Sequence, residues 1–330
     1  MFQTDFICFV QTGASAPLNA FFLFITSLGY EIAIQAIIIA ILFGINFRKG
    51  FLILQLTMVN AVATGFFKNF FALPRPFNVD AAVQTPGYTP DPAAVLTGQD
   101  AETFFAPLPE EAVVHFRMHQ LNSFGFPSGH TSSAMALWGA MALLFKDWRI
   151  RAGCILLMLL IPFSRIYLGR HFPADVLGGY ILGGGLLFLF YRYVFTSTSV
   201  QAVLFERAEE ARATGWMLAG WGFLAPVILI GLNVQPEYSA MWLGVNAGFF
   251  LVRRKGIPDD QAPIIARIGR VLLAGAIFWV LDQLAAPLVD WCQSADAHLL
   301  LYIIIFCLLA LFIWLSIEAM VKLGWMNRTE

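Results

Sequence analysis

"AGCILLMLLIPFSRIYLGRHFPAD", residues 152–175, decides how this chain is read. Its first twelve residues carry no charge; the next twelve bring Arg165, Arg170, His171 and Asp175. Apolar runs of this grade, long enough to cross a bilayer at roughly 20 residues each, recur from end to end. Nine are expected as spans: 18–45, 50–72, 130–145, 150–168, 173–194, 215–233, 238–252, 268–289 and 298–321. The fold class they imply is all-α, a polytopic membrane helical bundle. Composition agrees: 59% of the 330 residues are hydrophobic and 12% charged, with a mean hydropathy of +0.72, where a soluble domain carries about 25% charged residues.

Charge placement orients the bundle. Taking 46–50, 146–151, 192–214, 253–270 and 322–330 as cytoplasmic puts 15 of the 20 Lys and Arg on that side, the bias expected of cytoplasmic loops. The N-terminus is then outside and the C-terminus inside, as an odd number of spans requires. A net charge of −1 with no basic stripe excludes a nucleic-acid partner. The four cysteines (Cys8, Cys154, Cys292, Cys307) have no C-x-x-C spacing, which argues against metal or redox use. The first fifteen residues lack the positive n-region of a cleavable signal.

Five cations fall on the outer side: Lys68, Arg75, Arg117, Arg165 and Arg170. Four of them close apolar runs, and ionisable groups at membrane depth are functional candidates by default. Snorkelling anchors account for one such residue more readily than for four with two histidines beside them. Three stretches therefore converge on one outer face: "KNFFALPRP" (68–76), "PSGH" (127–130) and "SRIYLGRHFPAD" (164–175). Lys68, Arg75 and Arg165 suit a phosphate. Ser128 and Gly129 open a helix, where free backbone N–H groups and the dipole favour an anion. His171 and Asp175, four apart with Pro173 at the first turn of a helix, let the carboxylate orient one imidazole nitrogen and leave the other to attack. His130 stands available as general acid or base. A zinc site is disfavoured by three neighbouring cations and by the lack of further His or Cys at ligand spacing.

The pattern K-x6-R-P, P-S-G-H, S-R-x5-H-x3-D resembles the type 2 phosphatidic acid phosphatase (PAP2) superfamily over about residues 18–195. The resemblance implies phosphate binding by Lys68, Arg75, Ser128, Gly129 and Arg165, with His171 as nucleophile, Asp175 as its partner and His130 as acid to the leaving group. It further implies an enzyme needing no metal or other cofactor. Its substrate would be a membrane lipid: a polyprenyl diphosphate, a phosphatidate-like lipid or a sphingoid-base phosphate, dephosphorylated at the outer face of what is read as a bacterial inner membrane. Passing the phosphohistidine to an acceptor lipid or sugar is the alternative; a lipid-phosphate binding or transport protein is a weaker one, and a haloperoxidase is remote.

The chain departs from that family in two ways. One span fewer precedes the first motif, with "MFQTDFICFV" as a short interfacial helix in its place, and four spans follow the core. The latter layout is similar to that of eukaryotic sphingosine-1-phosphate phosphatases. The expected division is a phosphatase core over 1–195 with an outer loop at 77–126, a cytoplasmic connector at 196–214 and a C-terminal extension at 215–330. The acidic residues of the outer loop read as a solvated face, and His115 and His119 as loop residues. Gly179 and Gly183 have the small-xxx-small spacing that lets membrane helices pack closely.

Overall fold

The computed structural model describes residues 1–91, 95–103, 105–118, 124–206 and 212–328. Among them the secondary structure is helical throughout, apart from one isolated bridge between Pro258 and Arg328. In chain order the helices are α1 (Asp5–Gln11), α2 (Ala16–Ser27), α3 (Glu31–Ile45), α4 (Phe47–Phe71), α5 (Pro76–Val79), α6 (Glu110–Met118), α7 (residues 129–144), α8 (Trp148–Tyr167), α9 (Pro173–Phe195), α10 (Thr198–Phe205), α11 (residues 212–231), α12 (Pro236–Arg254), α13 (Ile264–Ser294) and α14 (His298–Lys322). Among the described residues five helices are long and apolar enough to cross a membrane, or six if the bent pair α1–α2 counts as one span. The protein is an integral membrane helical bundle.

The apolar run at 18–45 differs from its reading as one span. Residues 28–30 break it into α2 and α3, and a Cβ added at Gly29 would lie 2.8 Å from the His130 ring. The interruption therefore answers to packing, which hydropathy cannot register.

The chain forms two compact units, residues 1–34 with 63–189 and residues 35–62 with 190–330. In the first, α7 and α9 lie backbone to backbone. A Cβ on Gly179 would meet the Ser128 carbonyl at 2.7 Å, and one on Gly183 the Ser132 carbonyl at 2.6 Å. Asp147 caps α8 by accepting from the Arg149 N–H at 2.7 Å. Pro162 inside α8 cannot donate to the Met158 carbonyl one turn back; the Tyr180 hydroxyl of α9 donates to that oxygen instead, at 2.7 Å.

The long connection between α4 and α7 packs onto the bundle through α5 and α6. Phe77, Val79, Leu108, Ala112 and Phe116 form one apolar cluster with Ile7, Phe172 and Val176; a large apolar side chain so buried contributes roughly 1.5–3 kcal/mol. Two acidic residues of that connection are not a solvated face: Asp80 and Asp100 both accept from the Thr4 hydroxyl, at 2.6 and 3.1 Å. His119 lies outside the described residues.

The second unit has an aromatic centre, with Phe51 and Phe249 stacked at 3.8 Å and Phe47 and Phe205 flanking them. Asn46 caps α4 by accepting from the Lys49 N–H, and Asp260 accepts from both Asn46 and the Phe47 N–H. Gln55, Trp242 and Asn246 close a buried polar ring: Trp242 Nε1 donates to Gln55 Oε1 (2.8 Å), Gln55 Nε2 to Asn246 Oδ1 (3.1 Å), and Asn246 Nδ2 to the Trp242 carbonyl (2.8 Å).

Candidate active site

All eight residues singled out by the motifs lie in the first unit, where three chain turns bring them together. The first turn ends α4. Ala72 takes a left-handed backbone (φ 49°), and its N–H still reaches the Lys68 carbonyl at 2.9 Å. Pro74 and Pro76 then hold the strand extended around Arg75, whose N–H donates to Asn78 Oδ1 at 2.9 Å. Lys68 Nζ donates to the Phe124 carbonyl at 2.6 Å.

The second turn starts α7. Ser128 is fully buried; its N–H donates to the Asp175 carbonyl (2.9 Å), and its Oγ accepts from the Thr131 hydroxyl (3.0 Å). The Ser128 hydroxyl proton is thus left to donate elsewhere. A Cβ on Gly129 would stand 3.6 Å from Lys68 Cε and from Thr64 Cγ2, so the glycine opens the helix start toward the lysine. The His130 ring packs edge-on against Tyr30, centroids 4.8 Å apart, and its Nε2 has no protein partner among the described residues.

The third turn joins α8 to α9. Gly169, at φ 66°, lets the chain double back so that the N–H groups of Arg170 and His171 both reach the Arg165 carbonyl, at 2.9 and 3.2 Å. Arg165 is 4% exposed; its Nη1 donates to Thr26 Oγ1 at 2.8 Å, while Nε is unpartnered among the described residues. Asp175 stands at the third position of α9 and accepts from the Phe172 N–H (2.9 Å), half of a capping box. The same Oδ2 lies 3.3 Å from His171 Nδ1. One carboxylate oxygen therefore starts the helix and fixes the imidazole, which directs Nε2 away from Asp175. Burial foremost, then Arg75, Lys68 and Arg165, holds His171 well below the usual histidine range, so its ring is neutral and keeps a lone pair.

Each of Lys68, Arg75 and Arg165 acts electrostatically on both imidazoles. The arrangement gathers cations, a helix start and two histidines in one place, which is what an oxyanion and its transfer require. Three contributors escaped the sequence reading. Thr26 and Tyr30 are neutral residues of an apolar stretch and give no signal. Arg170 was visible as an exception to the charge bias but had no assigned task.

A family model described as the PAP2 superfamily matches residues 49–199. Undecaprenyl-diphosphatase BcrC of Bacillus subtilis is 37% identical over 91 residues, which cover 27% of this chain and 46% of that protein. Phosphatidylglycerophosphatase B of the same organism is 38% identical over 96 residues, 26% of this chain and 41% of that protein. The chain spans less than half the length of the curated relatives it matches. A crystal structure of LpxE from Aquifex aeolicus aligns with a TM-score of 0.43 and 23% identity, over 58% of this chain and 96% of that one.

Proposed function

Residues 49–199 belong to the PAP2 superfamily, and from that premise we propose that the chain hydrolyses a lipid phosphate or lipid diphosphate, without a metal, through a phosphohistidine. The observation that carries the reading is the pairing of His171 with Asp175 at 3.3 Å within electrostatic reach of a second imidazole, His130, whose Nε2 has no protein partner among the described residues. Lys68, Arg75, Arg165, Ser128 and Gly129 hold the phosphoryl oxygens and stabilise their charge in the transition state. His171 Nε2 attacks phosphorus in line; His130 protonates the departing oxygen. Water, activated by His130 as base, then releases inorganic phosphate. The excess of Lys and Arg on the opposite connections supports an active site at the outer face of a bacterial inner membrane, with the C-terminus cytoplasmic.

The test is phosphate release by the detergent-purified protein and its His171→Ala variant, across a panel of lipid mono- and diphosphates. Release by the wild type and none by the variant is expected. Release by neither, with radiolabelled phosphate instead appearing on an added acceptor lipid, would make the chain a phosphotransferase.

A further inference from the structure

Arg170 is a buried cation that this reaction leaves unused. It is 8% exposed, and its Nε has no protein partner among the described residues. Its Nη2 reaches the Pro86 carbonyl at a long 3.4 Å, and its guanidinium lies 4.2 Å over the Tyr88 ring. Neither neighbour carries a formal charge to neutralise it. Arg170 acts electrostatically on Arg75, Arg165, His130 and Tyr30, and Tyr30 is the ring packed against His130. The unmatched cation is therefore within electrostatic reach of the imidazole that protonates the leaving group.

Formal charge gives the same direction. Lys68, Arg75, Arg165 and Arg170 bring four positive charges, and Asp175 is the carboxylate that acts on Lys68 and Arg75. With His130 charged as the acid and His171 neutral as the nucleophile, these groups sum to four positive charges. A phosphate monoester dianion matches two of them and the trianion of a lipid diphosphate three, and buried charge is stable only when paired.

We infer that Arg170 binds the lipid-proximal phosphate of a lipid diphosphate while Lys68, Arg75 and Arg165 hold the terminal one. This rests on the phosphohistidine reading above and names its substrate class. In the step, His171 Nε2 forms a bond to the terminal phosphorus as the bond from that phosphorus to the bridging oxygen breaks. The bridging oxygen leaves on the lipid monophosphate, taking the His130 proton. Water then attacks the phosphohistidine, the phosphorus–nitrogen bond breaks, and a water proton returns to His130. The products are inorganic phosphate and a lipid monophosphate, so a reaction that consumes or recycles a lipid monophosphate must follow. The planar fork of Arg170 suits two phosphate oxygens at once.

The experiment compares geranylgeranyl diphosphate with geranylgeranyl monophosphate as substrates for the full chain in detergent. We expect the wild type to favour the diphosphate. Arg170→Gln should lower kcat/KM for it by about 30-fold or more, the loss of one charge-assisted bidentate contact, and change the monophosphate by less than about threefold. Arg170→Lys should recover part of the preference. Because both substrates are read on one preparation, a partly unfolded variant cancels from the ratio. Tyr88→Leu, which removes the cation–π contact alone, should leave the ratio unchanged. If Arg170→Gln and Tyr88→Leu lower both substrates alike, Arg170 is a strut for residues 83–88 and the inference is overturned. A wild type that prefers the monophosphate overturns it too, with the phosphohistidine reading intact. Phosphate released from neither substrate removes both.

Discussion

Arg165 in the first unit and Arg270 in the second are almost equally hidden, at 4% and 2% exposure, yet they live by different rules. Arg270 Nε and Nη2 donate to the Trp325 carbonyl, just beyond the end of α14, and Nη1 reaches the Asp259 carbonyl. A cation whose donors are taken up by backbone carbonyls of two non-helical segments is a structural device. Arg165 spends one nitrogen on Thr26 and keeps Nε open. The contrast extends to neutral groups: Gln55, Trp242 and Asn246 satisfy one another, whereas His130 Nε2 and Asp175 Oδ1 find no protein partner among the described residues. Open buried atoms occur in the second unit too, on Ser316 and Arg328. What marks the first is that His130, Arg165 and Arg170, each with an open nitrogen, act electrostatically on one another.

The largest expected effect tests that contrast at its extreme. His171→Ala should abolish turnover, a loss on the order of 10⁵-fold or more, while Asp175→Asn should leave a residue of activity after a fall of about 10³–10⁴, both measured as phosphate release in single-substrate assays. Wild-type-like rates in both would sink the assignment. Next, Arg165→Leu should cost about 10²–10³ in kcat/KM with an unchanged melting temperature. Arg270→Leu should do the reverse, with activity per folded molecule kept and stability reduced by about 1–3 kcal/mol as carbonyls lose their donors. A catalytic deficit from Arg270→Leu in fully folded protein would erase the distinction between the units.

Gln55→Leu belongs with Arg270. It strands the Trp242 N–H and should destabilise by about 1–3 kcal/mol without altering KM, as thermal melts and kinetics on one preparation can show. The pH profile sharpens the first unit further. His171 attacks only when neutral and is held below the ordinary value of about 6.5, so protonation sets in only as pH falls beneath that value. After correction for substrate ionisation, the acid limb of kcat/KM, which reports the nucleophile, should be centred below pH 6.5, while loss of the His130 proton sets the alkaline limb. An acid limb centred at or above 6.5 would take the nucleophile's role from His171. The smallest effect is none at all: EDTA should leave phosphate release unchanged. Inhibition reversed by an added divalent ion would transfer the task of Lys68, Arg75 and Arg165 to a metal.

Much of the site was legible because charge is rare in an apolar chain. Lys68, Arg75, Arg165 and His171 stand out in stretches that are mostly aliphatic or aromatic, and hydropathy places them at helix ends. Tyr30 was not legible: residues 18–45 read as one apolar run, and only the approach of Gly29 to the His130 ring reveals why the helix stops there. The packing of 77–118 onto the bundle was hidden for a related reason. Its apolar residues are spaced too irregularly to form a stripe, and the cluster they complete with Phe172 and Val176 draws on distant parts of the chain. Asp80 and Asp100 likewise found a partner in Thr4, some 76 and 96 residues away in sequence.

Pro162 and Tyr180 have a consequence for how this sequence can change over time. The proline empties one acceptor in α8, a single turn before Arg165, and the tyrosine hydroxyl fills it from α9, a little over one turn after Asp175. Replacing Pro162 by alanine returns an N–H that can share the oxygen, whose two lone pairs take both donors; replacing Tyr180 by phenylalanine while the proline stands leaves the oxygen bare. The tyrosine hydroxyl is thus needed for as long as the proline is there. In sequences descended from a common ancestor, the tyrosine should therefore be lost only where the proline has already gone.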